Sequence, residues 1–223
     1  MATSTALPAR PGVGAGAPAA PLLHRLLQRP VRAVLTGLFD LRVEGLEHVP
    51  PEGPYLVAAN HHNYLDGVVL AVAVPRPISF LVMPRVWQAT PLHPHLHRHL
   101  GSIPLDLRRP DVGALRRALT ALEQGAVVGI FPEGPFSVRG RLEAGLPGVA
   151  LLALRSGAPV IPVGIRGTYE ALVGRRLYVP RRSPLRVRFG PPRRFVAASG
   201  AAPRDTRQRV TDRIMADIAT LLS

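Results

Sequence analysis

Short apolar runs alternate along the chain with longer segments in which apolar residues recur every three or four positions. The short runs predict β-strands and the helical spacing predicts α-helices. Strands separated by helices are typical of a mostly parallel or mixed sheet flanked by helices, so we predict a single α/β domain over residues 40–223. The predicted strands are Phe39–Val43, Tyr55–Ala59, Ile78–Val82, Ser102–Asp106, Ala126–Phe131, Val160–Ile165 and Leu185–Phe189. The predicted helices are Asp66–Val74, Val112–Gln124, Val149–Ser156 and Arg204–Leu222.

The first 39 residues differ in pattern from the rest. Residues 1–21 are mostly small, with too little apolar surface to offset the entropy of ordering, so we expect disorder there. Residues 22–39 form a basic amphipathic helical pattern that Pro30 would kink or split. Two interpretations of this helix stay open: an anchor in a membrane interface, and packing against the domain.

Composition excludes several kinds of site. The chain of 223 residues has no cysteine, which excludes disulfides, a thiolate nucleophile and cysteine-ligated zinc or iron–sulfur clusters. Its formal net charge is +14, carried by arginine because lysine is absent. A surplus of this size favours anionic partners such as lipid headgroups, nucleic acid or phosphorylated substrates.

We find no apolar stretch long enough for a spanning helix and no secretory signal pattern, so we expect a cytoplasmic protein. Aromatic residues make up 5% of the chain, which leaves few stacking platforms for nucleic acid, and we expect no nucleic-acid partner. An arginine-rich nucleic-acid-binding protein is kept as the alternative from a different class. No cofactor is implied.

Chemistry-bearing residues follow predicted strands. The strand Tyr55–Ala59 leads into N-H-H-N-Y-L-D, in which His61 and Asp66 could meet if the histidine lies in the loop and the aspartate in the first helical turn. A carboxylate on one imidazole nitrogen would make the other a general base. Equally, Asn63 could cap the helix with Asp66 as the acid of a capping box, which would explain Asp66 without catalysis.

Three further motifs lie downstream. They are G-S-I-P-L-D-L-R-R at 101–109, G-I-F-P-E-G-P-F-S at 129–137 and V-I-P-V-G-I at 160–165. Paired arginines can grip a phosphate or carboxylate, or simply face solvent. The proline of the last motif, Pro162, predicts an edge strand or a bulge because it lacks a backbone N–H.

In their order and spacing, these four motifs resemble those of the glycerolipid acyltransferase family, over roughly residues 41–195. The nearest branch is that of bacterial 1-acyl-glycerol-3-phosphate acyltransferases. The resemblance implies a glycerol-3-phosphate acyltransferase-like fold and an O-acyltransferase. It also implies that His61 takes the proton of an acceptor hydroxyl, which attacks an acyl thioester, while Asp66 orients His61.

The resemblance implies roles for four other residues. Arg108 would grip the acceptor phosphate, Glu133 and Gly134 would help to bind the acceptor, and Pro162 would lie near the acyl donor. The implied partners are acyl-CoA or acyl-carrier protein as donor, a lyso-phospholipid as acceptor, and the membrane surface at the inner face of the cell membrane. The most direct product would be phosphatidic acid, within phospholipid biosynthesis.

The chain departs from the family pattern at two places. Arg108 stands one position late, because Leu107 separates it from Asp106. Pro135-Phe136 replaces the usual Thr-Arg after Glu-Gly, which removes a hydroxyl and a cation from the acceptor side. An acceptor without glycerol phosphate is therefore an alternative substrate, and an inactive lipid-binding relative is an alternative protein.

Histidines alternate over residues 93–99, at His93, His95, His97 and His99. Pairs four apart on a helix could chelate a metal. Because this stretch contains no carboxylate or cysteine to complete a site, we predict no metal and a surface helix instead.

Overall fold

A computed structural model describes residues 21–87, 97–98, 100–106, 111–172, 180–196 and 203–223. Within them the chain alternates between helices and strands. The helices are α1 (Pro21–Phe39), α2 (Tyr64–Ala73), α3 (Pro84–Trp87), α4 (Val112–Glu123), α5 (Gly148–Ser156), α6 (Thr168–Ala171) and α7 (Pro203–Leu221), with a 3-10 turn at Leu46–His48. The strands are β1 (Arg42–Glu44), β2 (Tyr55–Ala59), β3 (Ile78–Val82), β4 (Ile103–Pro104), β5 (Val127–Ile130), β6 (Val160–Arg166) and β7 (Arg186–Phe189).

The described strands form one seven-stranded sheet in the order β1-β7-β6-β2-β5-β3-β4. Neighbouring strands are parallel except β6 and β7, which pair antiparallel with Val163 opposite Phe189. The predicted α/β class and mostly parallel sheet are therefore confirmed. β2 lies between β6 and β5, and each of its five residues is buried. A strand covered on both faces has no need to alternate polar and apolar residues, which explains its continuous apolar sequence.

Helices cover both faces of the sheet. Alternate residues of β2 face opposite sides, so Tyr55 and Val57 join one apolar core while Leu56 and Ala58 join the other. The first core is covered by α1 and α2, which pack together. The second is covered by α4, α5 and α7. None of the helices described combines the length and apolar content needed to cross a bilayer.

One boundary of the predicted elements is wrong. Phe39 ends helix α1 rather than beginning a strand. Helix α1 also runs without interruption through Pro30. Packing holds it, because its buried side, which includes Leu35 and Phe39, joins the core that α2 covers, and the Gln28 amide donates to the carbonyl of Val74 at 2.7 Å.

For Pro162 the structure has the second of the two predicted alternatives, a bulge rather than an edge strand. Its strand, β6, is an interior strand and not an edge. The pairing with β7 changes at this proline: Val163 faces Phe189, whereas Val160 faces Arg193, so the β7 side carries one more residue than β6 between the two pairs. The carbonyl of Pro162 accepts from Gly190 N on this side. The missing N–H therefore falls where the ladder is already irregular, and an interior strand tolerates it.

Candidate active site

The loop between β2 and α2 lies at the carboxyl end of the parallel strands, where α/β folds place their chemistry. Asn60 extends the strand pairing with its side chain instead of its backbone. Its amide nitrogen donates to the carbonyl of Ile165 at 2.8 Å, and its amide oxygen accepts from Ile165 N at 2.7 Å. The residues that follow are thus anchored to the neighbouring strand while the backbone turns away from the sheet.

His61 and Asp66 meet across this loop. The Nδ1 atom of His61 lies 2.9 Å from Oδ2 of Asp66, and the two side chains are 9% and 0% exposed. A carboxylate acceptor on Nδ1 places the proton there and leaves Nε2 with its lone pair free to accept a proton. The same carboxylate oxygen accepts the backbone N–H groups of His62 at 2.6 Å and Asn63 at 2.8 Å. These bonds fix the carboxylate independently of the histidine.

The capping-box alternative is also present. Asn63 is the N-cap of α2, and its side-chain oxygen accepts from Leu65 N at 2.9 Å. In the reciprocal bond, Oδ2 of Asp66 accepts from Asn63 N. The Asn63 amide donates to the carbonyl of Thr168 at 2.7 Å, which ties the cap to the segment after β6. Helix capping and orientation of an imidazole are therefore two roles of one carboxylate rather than competing explanations.

Aromatic rings surround the His61 imidazole. Phe131 stacks on it with ring centroids 3.7 Å apart and an angle of 6°, and Phe136 meets it edge-on at 4.4 Å. Phe136 also contacts Tyr64, and Phe80 lies parallel to Phe131. The base candidate thus lies in an apolar enclosure, where the face of an aromatic ring stabilises a cation.

Glu133 lies beneath this enclosure and is 4% exposed. One carboxylate oxygen accepts from His61 N at 2.7 Å and the other from Glu143 N at 2.7 Å. Burial raises the pKa of Glu133 to about 7, against the lowering effect of these two backbone bonds. With both oxygens committed to backbone groups, Glu133 joins the histidine loop to the loop after β5.

His62 points away from the base position. Its Nδ1 lies 3.5 Å from the hydroxyl of Thr168, and its ring meets Tyr169 edge-on at 5.8 Å. Burial lowers the pKa of His62, although the nearby Asp66 and Glu170 carboxylates oppose the shift. The structure therefore pairs Asp66 with the ring of His61, and only with the backbone N–H of His62.

The other residues predicted for the site are placed as follows. Gly134 is at φ +78°, in the left-handed region that favours glycine, and its N–H donates to the Phe131 carbonyl at 3.0 Å. Pro162 lies within β6, buried, one strand away from His61. Arg108 lies outside the described residues.

Most of the histidine run also lies outside the described residues, namely His93, His95 and His99. His97 is described: its Nδ1 lies 3.2 Å from the hydroxyl of Ser102, and its ring stacks on Trp87 at 5.2 Å.

Asn60 and Phe131 were missed by the sequence analysis. Each follows or ends a predicted strand, which is the one signal that could have drawn attention to them.

Residues 40–166, more than half of the chain, match the family model described as Acyltransferase. The chain belongs to this family. The resemblance found in the sequence is thereby confirmed.

Individual relatives agree with that assignment. The chain is 29% identical to the chloroplastic 1-acyl-sn-glycerol-3-phosphate acyltransferase LPAT1 of Arabidopsis thaliana over 58% of this chain and 37% of that one. It is 22% identical to the 1-acyl-sn-glycerol-3-phosphate acyltransferase of Bacillus subtilis over 65% and 72% of the two chains. The matched part thus spans well under half of the plant protein. A crystal structure of the 1-acyl-sn-glycerophosphate acyltransferase PlsC from Thermotoga maritima shares the fold, with a TM-score of 0.72 at 23% identity over 91% of this chain and 80% of that one.

Proposed function

We propose that the protein transfers a fatty acyl group from an acyl thioester to a hydroxyl of a lyso-phospholipid, with 1-acyl-glycerol 3-phosphate as first candidate and phosphatidic acid as product. The observation that carries this proposal is the buried contact of 2.9 Å between Nδ1 of His61 and Oδ2 of Asp66, in a chain of the Acyltransferase family. The names of the relatives support the choice of acceptor.

In the proposed reaction His61 acts as general base through Nε2. It takes the proton as the acceptor oxygen attacks the thioester carbonyl carbon, so a C–O bond forms and an imidazolium results. Collapse of the tetrahedral intermediate breaks the C–S bond, and the imidazolium returns its proton to the leaving thiolate. Asp66 holds the Nδ1 proton throughout, and Phe131 offers its ring face to the transient cation.

We infer that Glu133 supports acceptor binding indirectly. Because its two oxygens accept backbone N–H groups, it positions His61 and residue 143 rather than presenting a free carboxylate to a ligand. Gly134 supports the turn that leads to Phe136. The roles of Arg108 as phosphate ligand and of Pro162 near the acyl donor stay predictions.

A second candidate acceptor is a phosphate-free lyso-lipid or amphiphilic alcohol. Phe136 favours it, because its ring lies 4.4 Å from the His61 ring and 4.8 Å from Tyr64, where the family pattern has an arginine. An aromatic edge beside the base offers no charge to a phosphate. If Phe136 excludes phosphate, Phe136→Arg raises activity towards 1-acyl-glycerol 3-phosphate relative to phosphate-free acceptors.

We further propose that the protein binds the inner face of the cell membrane through α1. Leu27, Val34 and Leu38 are seven and four residues apart, lie along one side of the helix, and are between 44% and 55% exposed. Arg29 and Arg32 on the same helix are exposed and suit anionic headgroups. A lipid acceptor would then reach the site from the bilayer.

An acyl-transfer assay tests the function. The purified protein receives a long-chain acyl-CoA with 1-acyl-glycerol 3-phosphate, glycerol 3-phosphate or phosphate-free lyso-lipids, and His61→Ala is run in parallel. We expect acylated product from the parent and loss of turnover in the variant, with its folding unchanged by circular dichroism. Equal rates for His61→Ala and the parent would reject the mechanism. Absence of product with acyl-CoA and with acyl-carrier protein would reject the function.

A further inference from the structure

A cleft of about 390 Å³ opens at the carboxyl end of the sheet, between the end of β6, residues 140–142 and the end of α7. That volume is within the range of small-ligand sites. Its apolar wall includes Leu142 and Leu222, and its polar groups include His62, Arg141, Arg166 and Glu170. Neither the function proposed above nor the predicted site residues make use of this cleft.

The two arginines of the cleft are available to a ligand. Both are exposed, and neither guanidinium has a hydrogen bond or ion pair with any residue that the structure describes. Among the lining residues Glu170 is the acidic one, so two fixed cations face one carboxylate. Burial lowers the pKa of His62, which keeps its ring neutral near pH 7. Two guanidinium groups lining one cleft supply the charged hydrogen-bond donors that a phosphate binds.

The segment that carries Arg141 is joined to the His61 loop by hydrogen bonds on both sides of the arginine. Ser137 N donates to the carbonyl of His61 at 2.8 Å. Glu143 N donates to Glu133, whose other oxygen accepts from His61 N. The segment is therefore bonded to the backbone of His61 directly before the arginine and through the Glu133 side chain after it.

The segment that carries Arg166 is also joined to this loop by hydrogen bonds on both sides of the arginine. The residue before it, Ile165, exchanges two hydrogen bonds with the side chain of Asn60. Two residues after it, the carbonyl of Thr168 accepts from the Asn63 amide at 2.7 Å. Both arginines thus lie on segments bonded to the loop at 60–63, so the backbone that carries them is fixed relative to the base.

We propose that this cleft binds a phosphate group of one of the two substrates, either the headgroup of a phosphorylated acceptor or a phosphate of CoA. The proposal rests on the acyltransferase function proposed above and adds Arg141 and Arg166 as the binding residues. It also explains how the chain can hold a phosphorylated substrate although Phe136 occupies the place of the family's arginine. Binding energy from such a remote group orients the reacting atoms.

Equilibrium binding tests the proposal without requiring turnover. Calorimetry on the whole chain measures the affinities for sn-glycerol 3-phosphate and for CoA, in the parent and in Arg141→Gln and Arg166→Gln. Loss of one charged hydrogen-bond donor weakens binding of the probe that occupies the cleft by about tenfold or more. Glu170→Gln has the opposite effect and tightens binding, because it removes the carboxylate that faces the anion. Arg139→Gln is the matched control, since it removes an exposed arginine from the same loop but not from the cleft lining.

Weaker binding of glycerol 3-phosphate alone assigns the cleft to the acceptor, and weaker binding of CoA alone assigns it to the donor. Unchanged affinities in both arginine variants overturn the proposal, as does equal weakening in Arg139→Gln. A parent protein that binds neither probe at millimolar concentration also overturns it. None of these measurements involves acyl transfer. If the probes bind in the cleft but the protein forms no acylated product, the proposed function is rejected and the phosphate site is retained.

Discussion

The substitution Glu133→Gln tests two properties of Glu133, the hydrogen bonds that it accepts and the cost of its buried charge. In Glu133→Gln one carboxylate oxygen becomes an NH2 group, which cannot accept from the backbone N–H that it faces. The N–H of His61 or of Glu143 is then left without its acceptor, at a cost of about 1–3 kcal/mol. If the imidazole of His61 moves by about 1 Å as a result, turnover falls by about a hundredfold.

The pH dependence of stability follows from the raised pKa of Glu133. The rise from 4.5 to about 7 means that the folded protein keeps a proton on this carboxyl at pH values where the unfolded chain has lost it. Stability from this group is therefore fully present below pH 4.5 and is lost as the pH rises through 7. The shift corresponds to roughly 3 kcal/mol in all, of which about 2–3 kcal/mol is lost between pH 5 and pH 8.

Two histidines change the stability with pH in the opposite direction to Glu133. Burial lowers the pKa of both His24 and His62, so each destabilises the folded state as the pH falls below about 6.5. The pH profile of the parent protein alone therefore mixes opposing effects. The difference in free energy of unfolding between parent and Glu133→Gln removes the histidines from the comparison.

Denaturant unfolding at pH 5 and pH 8 measures this difference. We expect the advantage of the parent over Glu133→Gln to be larger at pH 5 by about 2–3 kcal/mol. The matched control is Glu143→Gln, which leaves the backbone bond from residue 143 in place and keeps most of the pH dependence and of the activity, because the Glu143 charge is the smallest of the causes that raise the pKa of Glu133. A parent-to-variant difference that stays constant between the two pH values would refute the reasoning, because it would mean that the Glu133 carboxyl is not desolvated.

Three further predictions concern the base and the helix α1. Asp66→Asn lowers kcat by about a thousandfold while the chain stays folded, because an amide can stabilise the wrong imidazole tautomer of His61; rates and circular dichroism measure both. Phe131→Leu lowers kcat by about tenfold with little change in KM, because the stacked face that stabilises the imidazolium is lost; unchanged kcat would contradict that role. Val34→Glu with Leu38→Glu reduces binding to anionic vesicles by more than about tenfold in a sedimentation assay, and equal binding would exclude α1 as the anchor.

Most of the fold was predictable because its central strands, β2, β5 and β6, are buried over most of their length. β2 begins and ends where its apolar run does, since burial of every residue leaves a continuous signal in the sequence. Tertiary contacts decide the structure at the two prolines. Pro30 does not interrupt a helix that packs on α2, and Pro162 fits an interior strand because the pairing with β7 is irregular there.

The site was predictable only where its partners are close in sequence. His61 and Asp66 are five residues apart, so loop and helix geometry alone can bring them together. The contacts of Asn60 and Glu133 join residues 105 and 72 positions apart. No periodicity or spacing encodes such contacts, because they depend on which strands lie side by side. The sheet order places β6 and β5 on either side of β2 and thereby brings both partners to the same loop.

The order β6-β2-β5 also explains how a short loop can hold a general base firmly. From the β6 side, Asn60 is bonded to Ile165, and from the β5 side, Glu133 is bonded to His61 N. Within the loop, Oδ2 of Asp66 accepts from the His61 ring and from two backbone N–H groups. One carboxylate, that of Asp66, therefore both orients the base and caps α2, so its substitution removes both contributions. A change at Asp66 therefore affects catalysis and helix capping together, whereas a change at Phe131 acts on the imidazole, on which that ring stacks.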